Sequence, residues 1–365
     1  MAKQLVPGFV HRMGNHCEST VMRDLMEHAG VAISEAMVFG LDATMGFAFF
    51  DLTGVSNKVF AFGDEPIFLG GKQGTITADS LACRILGMQI RCTTYISTNS
   101  AWNVAREVIG NGNPLGIQVD MFFLPYFKEK FHFGGHWITL AGFDYDTGTG
   151  LVFDRDLAEA QEVNADALKS ARSSQFGTKY LHPENKSIVI TVREDGKKPP
   201  FARAVKLATQ QVAKNMVATS LNFQGIKGLR LLARSILEWP TKLATIKVKP
   251  LLLSLHGFIE EYGTGGGLFR KMYAEFLDEL ANHDEITAGP FAWKPQELDI
   301  LHDASGKIKE SSAKWTEFAS ILKQAVDEHS DECLEQLDCN TLANIIESII
   351  DIENDGFKTL SKITL

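Results

Sequence analysis

Cysteine is scarce in this chain: Cys17, Cys83, Cys92, Cys333 and Cys339 are the only five in 365 residues. The number is odd and no two stand in a CxxC spacing, so neither a disulfide framework nor a thioredoxin-like or zinc-ribbon site organises the fold. Reduced thiols are expected. Long hydrophobic runs are also missing: no stretch reaches the roughly 18–20 uninterrupted apolar residues that cross a bilayer. The opening, MAKQLVPGFVHRMGNHC, lacks the apolar core of a signal peptide, so the expectation is a cytoplasmic protein without membrane contact. Internal repeats and low-complexity tracts are absent as well. What remains, 45% hydrophobic and 22% charged residues, is the balance of an ordinary globular protein, and the length suggests two domains.

Charge is unevenly spread. The net charge is −9, yet residues 201–250 carry nine Lys and Arg against the single Glu238. A nucleic-acid surface is a poor explanation, because the chain as a whole is acidic and the basic residues come without a recognition motif or interleaved aromatics. A solvated face, or a docking face for an acidic partner, fits better. The periodicity changes near residue 195. Before it, β-type runs such as Trp137–Ala141 and Ser187–Val192 alternate with short helical stretches; after it, helical patterns are expected near 201–220, 227–238, 249–262, 267–282, 306–329 and 340–354. The run from Glu194 to Pro200, with its glycine, charges and proline pair, reads as the linker between a domain at 1–195 and one at 201–365.

Chemistry concentrates in the first part. Cys17 precedes the amphipathic stretch Val21–His28, which stops at Ala29-Gly30, so it should sit at a helix N-terminus. The orphan N–H groups there favour a thiolate and can also bind the oxyanion that forms when a thiolate attacks a carbonyl. Glu18, Ser19 and Thr20 are good first-turn residues and need no role beyond capping. The base that a thiol nucleophile requires is best supplied by His136, which follows Gly134-Gly135 and opens an alternating strand. A turn at Asp146–Gly150 leads into Leu151-Val-Phe-Asp154, making a hairpin whose second strand ends on a carboxylate able to orient the imidazole. Asp156 shares that face by strand alternation, so the choice between Asp154 and Asp156 is open on the sequence alone.

The runs His16-Cys-Glu-Ser-Thr20, Ile33-Ser-Glu-Ala-Met-Val-Phe-Gly40 and Gly135-His-Trp-Ile-Thr-Leu-Ala-Gly-Phe-Asp144 resemble the butirosin biosynthesis protein H family, a branch of the papain-like and C39-like cysteine enzymes. The resemblance covers most of residues 14–190. The remainder, above all Gly263–Leu277, is similar to the helical domain that commonly follows. It implies an α+β, papain-like catalytic domain followed by a mostly helical one. It also implies an acyltransferase that takes an acyl group from a carrier-protein thioester and passes it to an amine in natural-product assembly. Hydrolysis or cyclisation on the same residues, or an inactive binding protein, are the alternatives. Matched residue by residue, the resemblance puts the nucleophile on Cys17, the base on His136 and the carboxylate on Asp154. Papain-like enzymes usually carry a glutamine six residues before the nucleophile as oxyanion donor; His11 stands there instead, with the Asn15 amide as the other candidate. An acyl or peptidyl carrier protein docking on the basic 201–250 segment and a small amine are the expected partners. Neither a cofactor nor a metal is called for.

The glycine cluster Gly263–Gly267 lacks the spacing and the lysine of a phosphate loop. Two readings are open for it: a tight turn between packed helices, or a loop reaching a cleft with Arg270 and Tyr273, one helical turn apart, as substrate contacts.

Overall fold

The computed structural model describes residues 3–53, 66–244 and 246–364, and its chain forms two compact units. Among the described residues, the first unit holds 3–38 and 76–198 and the second holds 39–53, 66–75 and 199–364. The change of unit at 198/199 lies in the linker-like run. The segment 39–75 departs from a division made at one point in the chain: its described part packs within the second unit, although it precedes most of the first in sequence.

The first unit is built on a seven-stranded antiparallel sheet in the order β4 (Met88–Thr93), β9 (Ser187–Val192), β5 (Leu115–Val119), β6 (His136–Asp144), β7 (Thr149–Phe153), β8 (Gln161–Asn164), with β1 (Gln4–Leu5) also pairing with β6. Strand β6 lies at its centre and is buried from His136 to Phe143, which explains its nearly continuous apolar sequence. Helix α1 (Cys17–His28) packs across β5, β6 and β9, and Gly116 on β5 leaves the space that Val21 of α1 fills. Helices α4 (Thr98–Gly110) and α5 (Ala165–Ser173) contribute Trp102, Ala105, Ile109, Leu168 and Ala171 to the core beside Ile117, Ile138, Leu140 and Val152 of the sheet.

The β6–β7 hairpin is set by its turn. Asp144 accepts hydrogen bonds from the Asp146 and Thr147 amides (2.9 and 3.2 Å), and Gly148 takes the left-handed conformation at φ 71°, where a side chain would be strained. The resulting register pairs Thr139 with Phe153, which brings the end of β7 beside the start of β6.

The second unit combines a β2–β3 hairpin (Met45–Asp51 and Ile67–Lys72) with helices α6 (Phe201–Val217), α7 (Gly225–Lys242), α8 (Val248–Glu260), α9 (Arg270–Ala281), α10 (Asp284–Thr287), α11 (Pro295–His329) and α12 (Cys339–Leu360). Its core gathers Phe47, Trp239, Phe276, Trp315, Phe318 and Phe357, all fully buried. The expected helices are present. The largest difference is α11, which starts at Pro295 rather than near 306: proline suits the first helical position, and Glu297 accepts a hydrogen bond from the Lys294 amide (3.0 Å). No helix among the described residues is long and apolar enough to cross a membrane.

Candidate active site

Cys17 is the first residue of α1, with His16 in extended conformation at the N-cap. Its backbone N–H therefore belongs to the helix's orphan donors, and its side chain is largely buried. A carboxylate holds this corner rigid. Glu35 accepts hydrogen bonds from the amides of Asn15 and His16 (both 2.8 Å) and from the hydroxyls of Ser19 (2.8 Å) and Thr20 (3.1 Å). The chain can pass this close only because residue 14 is glycine: a Cβ there would lie 2.0 Å from Thr20 Oγ1 and 2.9 Å from Glu35 Oε2.

His136 begins β6 and is buried. Its Nε2 lies 2.7 Å from Asp154 Oδ2, which leaves Nδ1 to face the thiol, and thiol and ring are in hydrogen-bond contact. Asp154 is buried too, and it is satisfied on both oxygens: Tyr126 donates its hydroxyl to Oδ2 (2.9 Å) and the Arg155 amide donates to Oδ1 (2.8 Å). Phe127 meets the His136 ring edge-on at 5.9 Å. The loop carrying these residues is fixed by Asp120, which accepts from the Phe122 and Phe133 amides and from Ser174, and pairs with His132. Gln118 holds the Gly134 carbonyl (2.8 Å), and a side chain at Gly134 would run into the Leu181 carbonyl.

The electrostatics form one coupled set. Burial of the Cys17 thiol opposes ionisation, yet the His16 ring and the hydrogen bond and charge of His136 outweigh it and hold the thiol below its ordinary value of 9.0. For His136, burial disfavours the imidazolium, but the Asp154 carboxylate and Cys17 push it up to about 10. Asp154 in turn is held below the usual carboxylate value by His136, Tyr126 and the Arg155 amide, against the cost of burial. The arrangement therefore favours a thiolate–imidazolium pair braced by a carboxylate, the state in which a cysteine is nucleophilic near neutral pH.

The structure brings Cys17, His136 and Asp154 together and separates the two aspartates. Strand β7 ends at Phe153, so alternation does not continue: Asp156 turns outward, half-exposed, and pairs with Arg155 (2.8 Å) instead of with His136. The two oxyanion candidates are placed differently. The Asn15 amide is drawn towards Glu35 (3.4 Å). His11 is bound through Nδ1 to the fully buried Asp24 (2.6 Å), which also pairs with Arg23 (2.9 Å), and the His11 Nε2 is buried without a hydrogen-bond partner among the described residues.

Arg270 and Tyr273 do not face a cleft; both are fully buried inside the second unit. Arg270 pairs with Glu353 through two hydrogen bonds (2.8 and 3.0 Å) and donates to the Gly46 and Leu268 carbonyls (3.1 and 2.8 Å). Tyr273 is surrounded by apolar groups, and burial drives its hydroxyl far above the ordinary value. The expected substrate contacts are core residues, because the helical spacing that puts them on one face points that face inward. The glycine cluster is the tight connection between α8 and α9, with φ of 71°, 87° and 55° at Gly265, Gly266 and Gly267. In the basic segment, Lys206 pairs with Glu297 (2.6 Å) and Lys242 with Asp51 and Glu238 (3.1 and 2.7 Å), whereas Lys227, Arg230 and Arg234 stand exposed along α7.

Sequence reasoning missed Glu35, Tyr126 and Arg155. Glu35 stood inside a quoted run but reads as a helix-start residue; its partners lie about twenty positions upstream. Arg155 donates to the Asn15 carbonyl (2.7 Å), and its own carbonyl accepts from the Gly14 amide (2.9 Å), so it latches the β7 exit to the nucleophile turn. Among the described residues, no group of three or more His, Cys, Asp or Glu is placed to hold a metal ion.

Fold and site together define an α+β protein carrying a buried cysteine–histidine–aspartate constellation at a helix N-terminus. Residues 16–155 match the family described as butirosin biosynthesis protein H, N-terminal, and residues 166–360 match a domain of unknown function, DUF4872. The chain belongs to the butirosin biosynthesis protein H-like family, which implies a role in natural-product biosynthesis. None of the curated proteins compared matches it.

Proposed function

We propose that this protein is a cysteine-dependent acyltransferase that moves an acyl group from a carrier-protein thioester to an amine. The observation that carries the reading is the Cys17–His136–Asp154 contact, with the thiol held down and the imidazole held up by one another. In the first half-reaction the Cys17 thiolate attacks the thioester carbonyl, the carbonyl–sulfur bond to the carrier breaks, and the leaving thiolate takes the proton of the His136 imidazolium. In the second, an amine attacks the acyl-Cys17 carbonyl and gives a proton to the now neutral His136. The Cys17–acyl bond breaks, and the thiolate–imidazolium pair returns. The N–H groups of the first turn of α1, Cys17 included, face the developing oxyanion. Of the two side-chain candidates for the second donor, Asn15 is engaged with Glu35. His11 is kept in this proposal as the side-chain candidate, its buried Nε2 having no hydrogen-bond partner among the described residues.

The papain-like arrangement supports the same reading: a thiol at a helix start beside a histidine on a central strand. The exposed cations of α7 suit an acidic carrier protein, through Lys227, Arg230 and Arg234. The test is product analysis. With an acyl-loaded carrier and an amine, the wild type is expected to release carrier thiol and amide in equal amounts. Acid instead of amide would make the protein a hydrolase, a cyclic product would make it a cyclase, and no thiol release with any acyl chain would leave a binding protein.

A further inference from the structure

Tyr126 touches the triad at an atom the mechanism above leaves unused. Its hydroxyl donates to Asp154 Oδ2 (2.9 Å), the same oxygen that His136 Nε2 contacts (2.7 Å), while the Arg155 amide holds Oδ1 (2.8 Å). The ring is anchored without the hydroxyl. It lies 4.9 Å from Phe127, which meets His136 edge-on, and both rings pack against the hydrophobic core of the first unit. A hydrogen bond to a carboxylate favours its ionised form and lowers its affinity for a proton, so a second donor on Oδ2 weakens the carboxylate's hold on the imidazolium. The other charges at this corner are few. Cys17 and Asp154 act on His136, His16 and Glu18 act on Cys17, and the half-exposed Asp156, paired with Arg155, feels Asp154 and His136.

The hold on the imidazolium matters at one step. While Cys17 is a thiolate, Asp154 and the thiolate together keep His136 protonated up to about 10. Once the thiolate has attacked the thioester, its charge passes to the departing sulfur. Asp154 then decides how readily Nδ1 releases the proton that this sulfur must take.

We propose that Tyr126 is a positioning residue for acyl-enzyme formation: by sharing Asp154 Oδ2 with His136, it loosens the imidazolium proton for delivery to the departing carrier thiol. This deepens the acyl-transfer reading above and rests on it. In the step, the bond from Cys17 sulfur to the carbonyl forms, the carbonyl–sulfur bond to the carrier breaks, and the proton moves from His136 Nδ1 to the departing sulfur. The Nε2 proton stays on the ring, hydrogen-bonded to Asp154, and the Tyr126 hydroxyl keeps its own. Burial and the neighbouring carboxylate hold that hydroxyl well above its ordinary value, so it remains a donor beyond neutral pH. Taking a proton from the amine in the second half-reaction needs no such loosening, because a tighter hold only makes His136 a stronger base.

The test compares acylation of Cys17 in wild type and Tyr126→Phe from two thioesters of one short acyl group. The thiol of N-acetylcysteamine leaves as a basic thiolate that needs the proton, whereas thiophenol leaves as a weakly basic one that does not. In Tyr126→Phe, acylation by the N-acetylcysteamine thioester is expected to slow roughly three- to tenfold, and acylation by the thiophenyl ester to match the wild type. Alkylation of Cys17 by iodoacetamide at neutral pH should not slow, and the acid side of its pH profile should not move to higher pH, since the imidazolium is held more tightly. Equal slowing with both thioesters, no slowing with either, or slower alkylation would overturn this inference while leaving the acyl-enzyme intact. Failure of the wild type to acylate Cys17 from either thioester overturns the acyl-transfer reading and this inference with it.

Discussion

Replacing His136 with alanine is expected to slow alkylation of Cys17 by iodoacetamide at neutral pH by about two orders of magnitude. The reason lies in the balance on the thiol: burial raises its pKa, and the His136 hydrogen bond and charge are among the few effects that lower it. Without them the thiol returns to its ordinary range or above, and near pH 7 only about one per cent is thiolate. The pH dependence follows with a definite sign. In the wild type, fast alkylation should persist well below pH 9, because the thiolate is retained as its partner stays protonated. The imidazolium is lost as pH rises through about 10, which closes the ion-pair window on the alkaline side. In His136→Ala the acid side of the profile should move to higher pH. Peptide mapping of the alkylated cysteines checks both points. Equal rates for the two proteins would show that the thiol is not activated by its neighbour.

The second large effect concerns the second unit. Arg270 and Glu353 are both completely buried, and Glu353 also accepts hydrogen bonds from Ser311 (2.6 Å) and the Trp315 indole (3.3 Å). Removing one partner leaves an uncompensated charge in an apolar core. Arg270→Ala should therefore cost about 3–5 kcal/mol. It would also remove the donor that ties α9 to the Gly46 carbonyl of β2. The double replacement Arg270→Met with Glu353→Leu should recover most of the loss, since two apolar side chains of similar volume leave no stranded charge. Urea unfolding of the three proteins decides it. A mild single variant, or a double variant as unstable as the single, would contradict the role given to this pair.

How much of this was legible in the sequence depended on the range of the interactions. Cys17 could be found because its signal is local: a thiol before a helical period that ends in Ala29-Gly30. The hairpin carrying His136 was legible for the same reason, through the turn at Asp146–Gly150. Alternation could not choose between Asp154 and Asp156, because it assumes a strand that continues, and β7 stops at Phe153. Glu35 acts on partners 15–20 residues away and Tyr126 on one 28 away, and no periodicity shows such pairs. The packing of 39–53 and 66–75 with the helical unit is a long-range choice of the same kind. Arg270 and Tyr273 show the converse error: a shared helix face was correctly read, and its direction was not. Helix α11 was read too short because Gly306 interrupts its first turns, while the start signal lies further back in Lys294, Pro295 and Glu297.

The central claim is that Cys17 carries the acyl group. Intact-protein mass spectrometry of wild type and Cys17→Ala tests it most directly, after seconds to minutes with an acyl-loaded carrier protein and no amine. A mass gain equal to the acyl group in the wild type, absent from Cys17→Ala and discharged on adding amine, is the predicted result. An unmodified wild type with the thioester intact across several acyl chains would contradict the account.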